Sequence, residues 1–387
     1  MKTNLQFTAL CALAASMTAF GQGFDSGSDG SLGALEVVDA DVTVNLPDDG
    51  ELHYTTVTVG SGRTLRFNRN AMNTPVFLLA TGDIQINGTL DVTGADSPSG
   101  TPTGGSGGPG GFDGGKPGFG SGVPPGDGYG PGGGIGGAAS STADGAGGGG
   151  YGAPGSGGQS TLHGGTYGSP LLIPLIGGSG GGGTAGQPGR GGGGGGGAVL
   201  LASNTRITVN GIVRSRGGGW SGSAFHAGSG GAIRLVAPVV NGGGTLDVTG
   251  GGAGGGAGRI RVDTVDRRDL RFTFSPNTQT TLGANMFIAP TPMPRLDLIQ
   301  VADLDIALGS GPVTYQLPFG SDPNVTVTVR AQDFGSVVPI EVVLTPDSGP
   351  RSVVAAEIDN TTVNPATVDV PITVPVNTVV TVHVWKP

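Results

Sequence analysis

The sequence has almost no cysteine and almost no lysine. Among its 387 residues, Cys11 is the only cysteine, and Lys2, Lys116 and Lys386 are the only lysines. Cys11 falls in an N-terminal stretch that we expect to be removed, so the mature chain would hold no disulfide and no zinc-thiolate site. The formal net charge of -9 argues against a nucleic-acid-binding protein, which is normally basic.

Aromatic residues and long apolar runs are also scarce. Aromatics make up 5% of the chain, and after the N-terminus no apolar run reaches the about 18 residues of a membrane helix, so we expect no membrane insertion. Glycine and proline are abundant instead, with 82 and 28 copies. In a helix interior Gly costs about 1 kcal/mol and Pro about 3 kcal/mol relative to Ala, so helices are not expected.

The N-terminus has the three parts of a secretory signal peptide in order. Lys2 supplies the positive charge, an apolar stretch follows from Leu5 to Ala15, and Ala19-Phe20-Gly21 is a small-x-small cleavage site. We therefore predict a signal peptide over residues 1–21 and a protein that is secreted or held at the outer cell surface. Too short an apolar segment precedes Cys11 for a lipoprotein anchor.

An internal repeat predicts the fold of the first part of the mature chain. LLATGDIQINGTLDVTG (78–94), LLASNTRITVNGIVRSRG (200–217) and LVAPVVNGGGTLDVTG (235–250) share a pattern of two short strands joined at an Asn-Gly turn, and RIRVDTV (259–265) is a fourth, partial copy. Neither strand could bury its apolar side alone, so the copies should stack. We predict an all-β chain with a parallel, β-helix-like solenoid over 22–289. An up-and-down barrel or a sandwich is the alternative.

A glycine-rich insertion over 98–197 interrupts the repeat. Glycine makes up 46 of the 94 residues from Gly104 to Gly197. Such a segment is typical of a flexible linker, but this one also holds aromatic residues such as Tyr151 and Tyr167 and an apolar cluster at 171–176. Two alternatives therefore stay open, disorder and a polyproline-II-like packing against the solenoid.

The composition changes after a proline linker at 290–295. Residues 296–387 have ordinary glycine content, several short alternating segments and ten acidic residues. Short strands separated by Pro, Asn, Asp and Gly turns indicate a small C-terminal β-sandwich of immunoglobulin-like architecture.

Two candidate binding sites follow from the spacing of charged residues. Arg214 and Arg216, like Arg259 and Arg261, are two residues apart and so share a strand face. A trio at Arg63, Arg66 and Arg69 extends the pattern. On stacked strands such arginines could form a stripe that binds carboxylated or sulfated polysaccharide, although an ordinary solvated face is the commoner explanation.

The second candidate is a calcium site at Asp25, Asp29 and Glu36. These acids occupy the first, fifth and twelfth positions of a calcium loop, with Gly30 at the sixth. The third position is Gly27 and no helix precedes it, so we favour an ordinary polar turn. We therefore predict no cofactor other than the calcium that this pattern would allow.

No catalytic residue is predicted. Asp263, Asp266 and Asp269 form the nearest acidic cluster, but arginines interleave them, and we interpret the segment as a self-neutralised exposed edge. The four histidines are dispersed along the chain. Trp220 and His226 lie in one polar loop, where an anchor that covers the loop is favoured over a sugar-stacking platform.

Several phrases carry a resemblance to a known group of proteins. GSDGSLGAL, TPVFLLATGDIQINGTLDVTG, GGGGGGGAVLLAS, GGAIRLVAP and GGAGRIRVD together resemble exported, glycine-rich proteins of environmental Gram-negative bacteria, over roughly Phe24 to Val265. The resemblance implies a secreted or surface β-solenoid similar in style to adhesins.

We therefore expect a non-enzymatic structural or adhesive protein of the envelope or extracellular matrix. The expected partners are acidic extracellular polysaccharide or other surface proteins, and neither nucleic acid nor membrane. The alternative is a polysaccharide-binding or polysaccharide-degrading β-helix enzyme, a lyase or a glycoside hydrolase.

Overall fold

The computed structural model describes residues 23–98, 103–119, 122–138, 145–157, 162–185, 189–219, 226–290, 292–318 and 320–387. These residues form 23 β-strands and one short 3-10 helix, Asn277–Gln279. Within these ranges no helix is long and apolar enough to cross a membrane. The predicted signal peptide and Trp220 lie outside the described residues.

The first sixteen strands all pair in parallel. Their bounds are β1 Ala34–Val37, β2 Val42–Asn45, β3 Glu51–Tyr54, β4 Thr56–Val59, β5 Thr64–Asn68, β6 Val76–Ala80, β7 Ile84–Ile86, β8 Thr89–Asp91, β9 Ala198–Ser203, β10 Arg206–Val209, β11 Ile212–Arg214, β12 Ala232–Asn241, β13 Thr245–Asp247, β14 Arg259–Asp266, β15 Thr273–Ser275 and β16 Thr280–Gly283.

These strands form three stacks. Stack 1 contains β3, β6, β9, the first halves of β12 and β14, and β16. Stack 2 contains β1, β4, β7, β10 and the ends of β12 and β14, and stack 3 contains β2, β5, β8, β11, β13 and β15. The chain visits stacks 1, 2 and 3 in that order, and β12 joins stacks 1 and 2 into one ten-stranded sheet.

Strand register aligns the copies of the sequence repeat. Thr89 of the first copy is the partner of Ile212 in the second, which is the partner of Thr245 in the third. The Asn-Gly turns stack as well, since Asn210 Nδ2 donates to Asn87 Oδ1 at 3.0 Å. A complete copy such as 78–94 contributes to three strands rather than two, because its first residues belong to β6.

The expectation of an all-β chain with parallel strands is therefore confirmed. Neighbouring strands of an up-and-down barrel are antiparallel, which does not fit the pairing of β1 to β16. The solenoid and immunoglobulin-like interpretations stay predictions.

Rows of apolar side chains run along the interior of the stacks. In stack 1 one row contains Leu52, Leu78, Leu201, Leu235 and Val262, which are register partners and are all buried. Burying each such side chain contributes about 1.5–3 kcal/mol. Because the row has one buried side chain per strand, each further strand in the stack adds to the stability of the protein.

The glycine-rich insertion is packed in the residues that the structure describes. Gly105 N donates to Gly192 O at 2.8 Å, and three residues on Gly108 N donates to Gly195 O at 3.0 Å. Three residues per turn is the period of the polyproline II helix, so every third amide faces the same neighbouring segment. Of the two alternatives for the insertion, these residues adopt the packed one.

Glycine is needed in this bundle because the segments touch backbone to backbone. A Cβ on Gly180 would lie 1.9 Å from the carbonyl oxygen of Asp113, and one on Gly192 would lie 1.9 Å from that of Gly181. No side chain fits at such distances. Later loops join the bundle, as in the hydrogen bond from Gly193 N to His226 O.

The insertion also covers the outer face of stack 1. Its residues Tyr151, Leu172 and Leu175 form a second apolar core with strand residues such as Leu200 and Ala232. The face of stack 1 that would otherwise be solvated is therefore apolar and buried.

The C-terminal unit contains two antiparallel sheets that share a third core. The sheet orders are β18-β17-β19-β22 and β21-β20-β23. The strands are β17 Arg295–Val301, β18 Leu304–Asp305, β19 Asn324–Gln332, β20 Val337–Pro346, β21 Ser352–Asp359, β22 Ala366–Thr373 and β23 Val380–Trp385.

Polar contacts join this unit to the insertion. Asp127 accepts hydrogen bonds from Gly136 N at 2.7 Å and from Arg351 N at 3.0 Å. Lys116 Nζ lies 2.5 Å from Asp347 Oδ2. The C-terminal unit is therefore docked on the glycine-rich bundle.

Candidate functional site

The structure does not bring the four predicted arginines to one surface. Arg214 ends β11 and Arg216 follows it, on stack 3, whereas Arg259 and Arg261 lie in β14, in stack 1. This corrects the expectation of a single stripe, because the two pairs lie in different sheets. Only the pair at Arg214 and Arg216 remains on a solvated face.

Arg259 and Arg261 are held by the protein itself. Arg259 Nη2 donates to Tyr167 O at 3.0 Å, and its guanidinium carbon lies 5.6 Å from the centroid of the Tyr151 ring. Arg261 is buried and donates from Nε to Asp263 at 3.0 Å. Both guanidiniums therefore serve the packing of the insertion and of β14, not a solvent-facing ligand site.

Asp263 is buried between two arginines rather than exposed on an edge. Arg261 Nη2 lies 2.6 Å from one of its carboxylate oxygens, and Arg234 Nη2 lies 3.5 Å from the other. Burial lowers the pKa of Arg234, while the charge of Asp263 opposes that shift. The exposed-edge interpretation fits the ion pairs of Asp266 with Arg268 and of Asp269 with Arg271, but it was wrong for Asp263.

The buried arginines anchor the segment that leads to the C-terminal unit. Arg234 Nη1 donates to Ile288 O at 2.9 Å, and Asp263 Oδ1 accepts from Asn285 N at 2.9 Å. A Cβ on Gly283 would lie 1.8 Å from Arg261 Nη2, so a larger residue there would displace the Arg261 guanidinium. This charge cluster is therefore a structural clamp.

The predicted calcium ligands do not gather. Asp25 Oδ1 accepts from Gly27 N and Asp29 Oδ1 accepts from Ser31 N, both at 2.9 Å, and Glu36 is an exposed residue of β1. These are the short-range hydrogen bonds of polar turns. Across the described ranges there is no group of three or more His, Cys, Asp or Glu side chains that could hold a metal ion.

The histidines have separate surroundings. His53 in β3 lies 3.3 Å from Glu51, and His383 in β23 contacts the rings of Tyr129 and Trp385. Burial lowers the pKa of His383. His226 is buried in the glycine-rich bundle, whereas Trp220, the other residue of that loop, lies outside the described residues.

The outer face of stack 3 carries the most regular arrangement of charge, which we call the charged ladder. Its members are register partners on successive strands: Thr43, Arg66, Asp91, Arg214, Asp247 and Ser275. Arginine and aspartate alternate along it. The repeat predicts this pattern, since aligning TLDVTG with IVRSRG (212–217) places Asp91, Arg214 and Asp247 at one position.

Neighbouring members of the ladder neutralise each other. Arg214 Nη2 donates to Asp91 Oδ2 at 2.8 Å, and Arg66 Nε lies 3.8 Å from the same oxygen. Burial raises the pKa of Asp91, but hydrogen bonds from Arg214 and Thr93 outweigh it and leave the pKa below its usual value. The hydrogen bond with Asp91 also raises the pKa of Arg214.

The ladder can bind an extended polar ligand, but its chemistry does not suit proton transfer. Arg66 of the ladder and Arg216, whose Nε lies 3.7 Å from the ladder residue Asp247, remain about half exposed. Thr64, Thr89 and Thr245 occupy the neighbouring register position, which Ile212 interrupts. Strands about 4.8 Å apart repeat these donors at regular intervals. A general acid needs a raised carboxyl pKa, which is the opposite of what Asp91 has.

Comparison with known proteins gives no further guide. No protein-family profile, curated protein or solved structure matches this chain. The fold itself defines the class: an all-β protein with parallel stacked strands, a packed glycine-rich insertion and an antiparallel C-terminal unit.

Proposed function

We propose that this protein is an exported, non-catalytic structural or adhesive component of the cell surface or extracellular matrix. Its parallel part would be a β-solenoid of about six turns, each made of one strand from each stack. The constant order in which the chain visits the three stacks supports the solenoid, as does the in-register alignment of the repeats. The resemblance to adhesin-like proteins points to the same location.

The commitment of carboxylates to arginines is the observation that carries the non-catalytic proposal. Asp91 is paired with Arg214, and Asp263 is buried between Arg234 and Arg261. Polysaccharide hydrolysis needs two carboxyl groups, one of them with a raised pKa, on either side of a bond to be cut. In this protein the carboxylates of Asp91 and Asp263 form ion pairs with arginines instead.

We propose an immunoglobulin-like β-sandwich for the C-terminal unit. Seven antiparallel strands in a four-stranded and a three-stranded sheet, with one shared core, support this architecture. Sandwiches of this kind are common in cell-surface proteins, where they act as spacers or binding modules.

The ligand proposed for the solenoid is an acidic extracellular polysaccharide on the charged ladder. Arg66 and Arg216 are the guanidiniums with the most free surface there, so they replace Arg259 and Arg261 in this role. A single exposed ion pair contributes about 1 kcal/mol or less, so useful affinity requires a polymer that spans several strands.

Retention on immobilised alginate, pectate and heparin tests both parts of the proposal. We expect the mature protein to be retained at low salt, to elute as salt rises, and to release no new chain ends from the soluble polymers. The double variant Arg66→Gln/Arg216→Gln should elute earlier. Arg295→Gln, which removes a similarly exposed arginine from the C-terminal unit, is the matched control.

The two parts fail separately in this experiment. Equal retention of the ladder variant and the control would exclude the ladder as the binding surface. Appearance of new reducing ends or unsaturated uronic acids would overturn the non-catalytic proposal in favour of a lyase or glycoside hydrolase.

A further inference from the structure

The first and last turns of the parallel part are incomplete in complementary ways. The first turn has strands in stacks 2 and 3, β1 and β2, but no described strand precedes β3 in stack 1. At the other end, β16 extends stack 1 by one strand beyond β14, while stacks 2 and 3 end one layer earlier. The first end therefore lacks one strand in stack 1, and the last end has one extra strand in stack 1.

The N-terminal segment does not fill the gap in stack 1. Ser28 Oγ donates to Tyr54 O and Ser26 Oγ donates to Ala80 O, both at 2.9 Å, and Ser26 N donates to Asn204 Oδ1. These acceptors lie on successive turns, so the segment runs across the strands and not along them. The segment meets only the end of the outer edge of β3, where Leu32 N donates to His53 O at 2.9 Å, and no described strand pairs along the rest of that edge.

The apolar rows of the core have their first and last members in matching positions. The stack 1 row begins at Leu52, which is 4% exposed, and ends at Leu282, which is 45% exposed. The stack 3 row runs from Val42 through Leu65 to Phe274. Continuing each row with its own first member would stack Leu282 on Leu52 and Phe274 on Val42.

The two ends carry opposite charge at the same corner. Residues 23–51 contain eight acidic residues and no lysine or arginine. The loop from stack 2 to stack 3 holds Asp39 and Asp41 in the first turn. The corresponding loop of the last turn holds Arg267, Arg268 and Arg271 with Asp269, and it keeps an excess of positive charge although Arg268 and Arg271 each pair with a neighbouring aspartate. Stacking the ends would place these two loops against each other.

We propose that a second copy of this chain docks on the first end to end, with β16 of one copy filling the stack 1 gap before β3 of the next. Each β1 would then pair with the end of a neighbouring β14, and each β2 with a neighbouring β15. Unpaired edges are templates for strand addition, and the like charges at matching ends disfavour head-to-head and tail-to-tail contacts.

Such an interface joins two different surfaces and does not close on itself. Repeating it produces an open filament rather than a ring or a symmetric dimer. The described contacts of the C-terminal unit are with the insertion and, through Gly311, with Ala71 after β5. None of these contacts involves a residue of β15 or β16.

Sedimentation velocity and negative-stain microscopy of the mature protein test this inference. At low salt we expect the weight-average mass to rise with concentration to several times the monomer mass, with unbranched filaments, and to fall towards the monomer at high salt. The head variant Glu36→Arg/Asp39→Arg and the tail variant Arg268→Glu/Arg271→Glu should each stay monomeric. Asp305→Arg, on the C-terminal unit, should assemble as the parent does.

Mixing the head and tail variants separates a lost contact from a lost fold. Each variant keeps one normal end, and the two reversed ends are complementary to each other, so the mixture should assemble again while neither component does alone. Monomers at every salt concentration and in the mixture would overturn the inference. Assembly of either charge variant alone, to the extent of the parent, would overturn it as well.

Discussion

Asp263 lies at the point where three buried charges meet. Its carboxylate faces Arg234 and Arg261, and it also accepts the amide of Asn285. We expect Asp263→Asn to lower the free energy of unfolding by about 3–5 kcal/mol, because two guanidiniums would stay buried without a counter-charge. Urea unfolding followed by circular dichroism measures this loss.

Asp266→Asn is the matched control for that experiment. Asp266 belongs to the same strand and also pairs with an arginine, Arg268, but both side chains reach solvent. Exposed ion pairs contribute little to stability, so this variant should unfold almost as the parent does. Equal losses for the two variants would show that the buried cluster has no special role.

Residue spacing predicted which arginines share a face, but not what covers that face. Arg259 and Arg261 are two residues apart on β14, as the alternation of strand side chains requires. Arg259 is held by Tyr151 and Tyr167, about a hundred residues earlier in the chain. No local pattern near Arg259 signals that contact, so the sequence placed it on a solvated stripe.

At the scale of elements, the glycine-rich bundle depends on the absence of side chains where segments cross. A Cβ on Gly180 would lie 1.9 Å from the carbonyl oxygen of Asp113, which is backbone and cannot rotate away. We expect Gly180→Ala to destabilise the protein by about 1–3 kcal/mol or more through overpacking. Thermal unfolding of the mature protein measures the effect.

Gly165→Ala, in the same insertion, controls for the change in composition. Nothing lies within 4 Å of a Cβ at Gly165, and its φ is not in the left-handed region. Alanine there should be neutral or slightly stabilising, because it restricts the unfolded chain. If both alanines have the same small effect, the insertion does not depend on close backbone packing.

The elements of the parallel part were more accessible from the sequence than those of the insertion. TLDVTG occurs twice, and its Thr89 and Thr245 take the same register position on either side of Ile212. A sequence repeat indicates which strands are neighbours, because each copy packs on the next. In the insertion every glycine has the same chemistry, so no sequence pattern indicates that Gly105 pairs with Gly192.

At the scale of the whole molecule, the last strand of the parallel part is connected to the C-terminal unit by an anchored segment. Arg234 binds the carbonyl of Ile288, and Met286 and Ile288 pack against the core between stack 1 and the insertion. The C-terminal unit meets that insertion again through Asp127, Lys116, Asp347 and Arg351. The glycine-rich bundle therefore contacts both the segment that leaves the parallel part and the C-terminal unit to which that segment leads.

Asp127 is the residue whose loss should loosen this docking. It is buried, and its two oxygens accept the amides of Gly136 in the insertion and Arg351 in the C-terminal unit. Asp127→Ala leaves both amides without these acceptors, at about 1–3 kcal/mol for each buried group. We expect amide exchange in residues 346–353 to speed up about tenfold or more, measured by hydrogen–deuterium exchange mass spectrometry.

Asp322→Ala separates this docking effect from a general weakening of the C-terminal unit. Asp322 is exposed and accepts only short-range hydrogen bonds from Asn324 within that unit. Its removal should leave exchange in 346–353 unchanged, since the contact with the insertion is untouched. Should Asp127→Ala also leave that exchange unchanged, the polar contacts would not hold the two bodies together. Should it speed exchange equally over all of 296–387, Asp127 would act on the unit's own stability rather than on its docking.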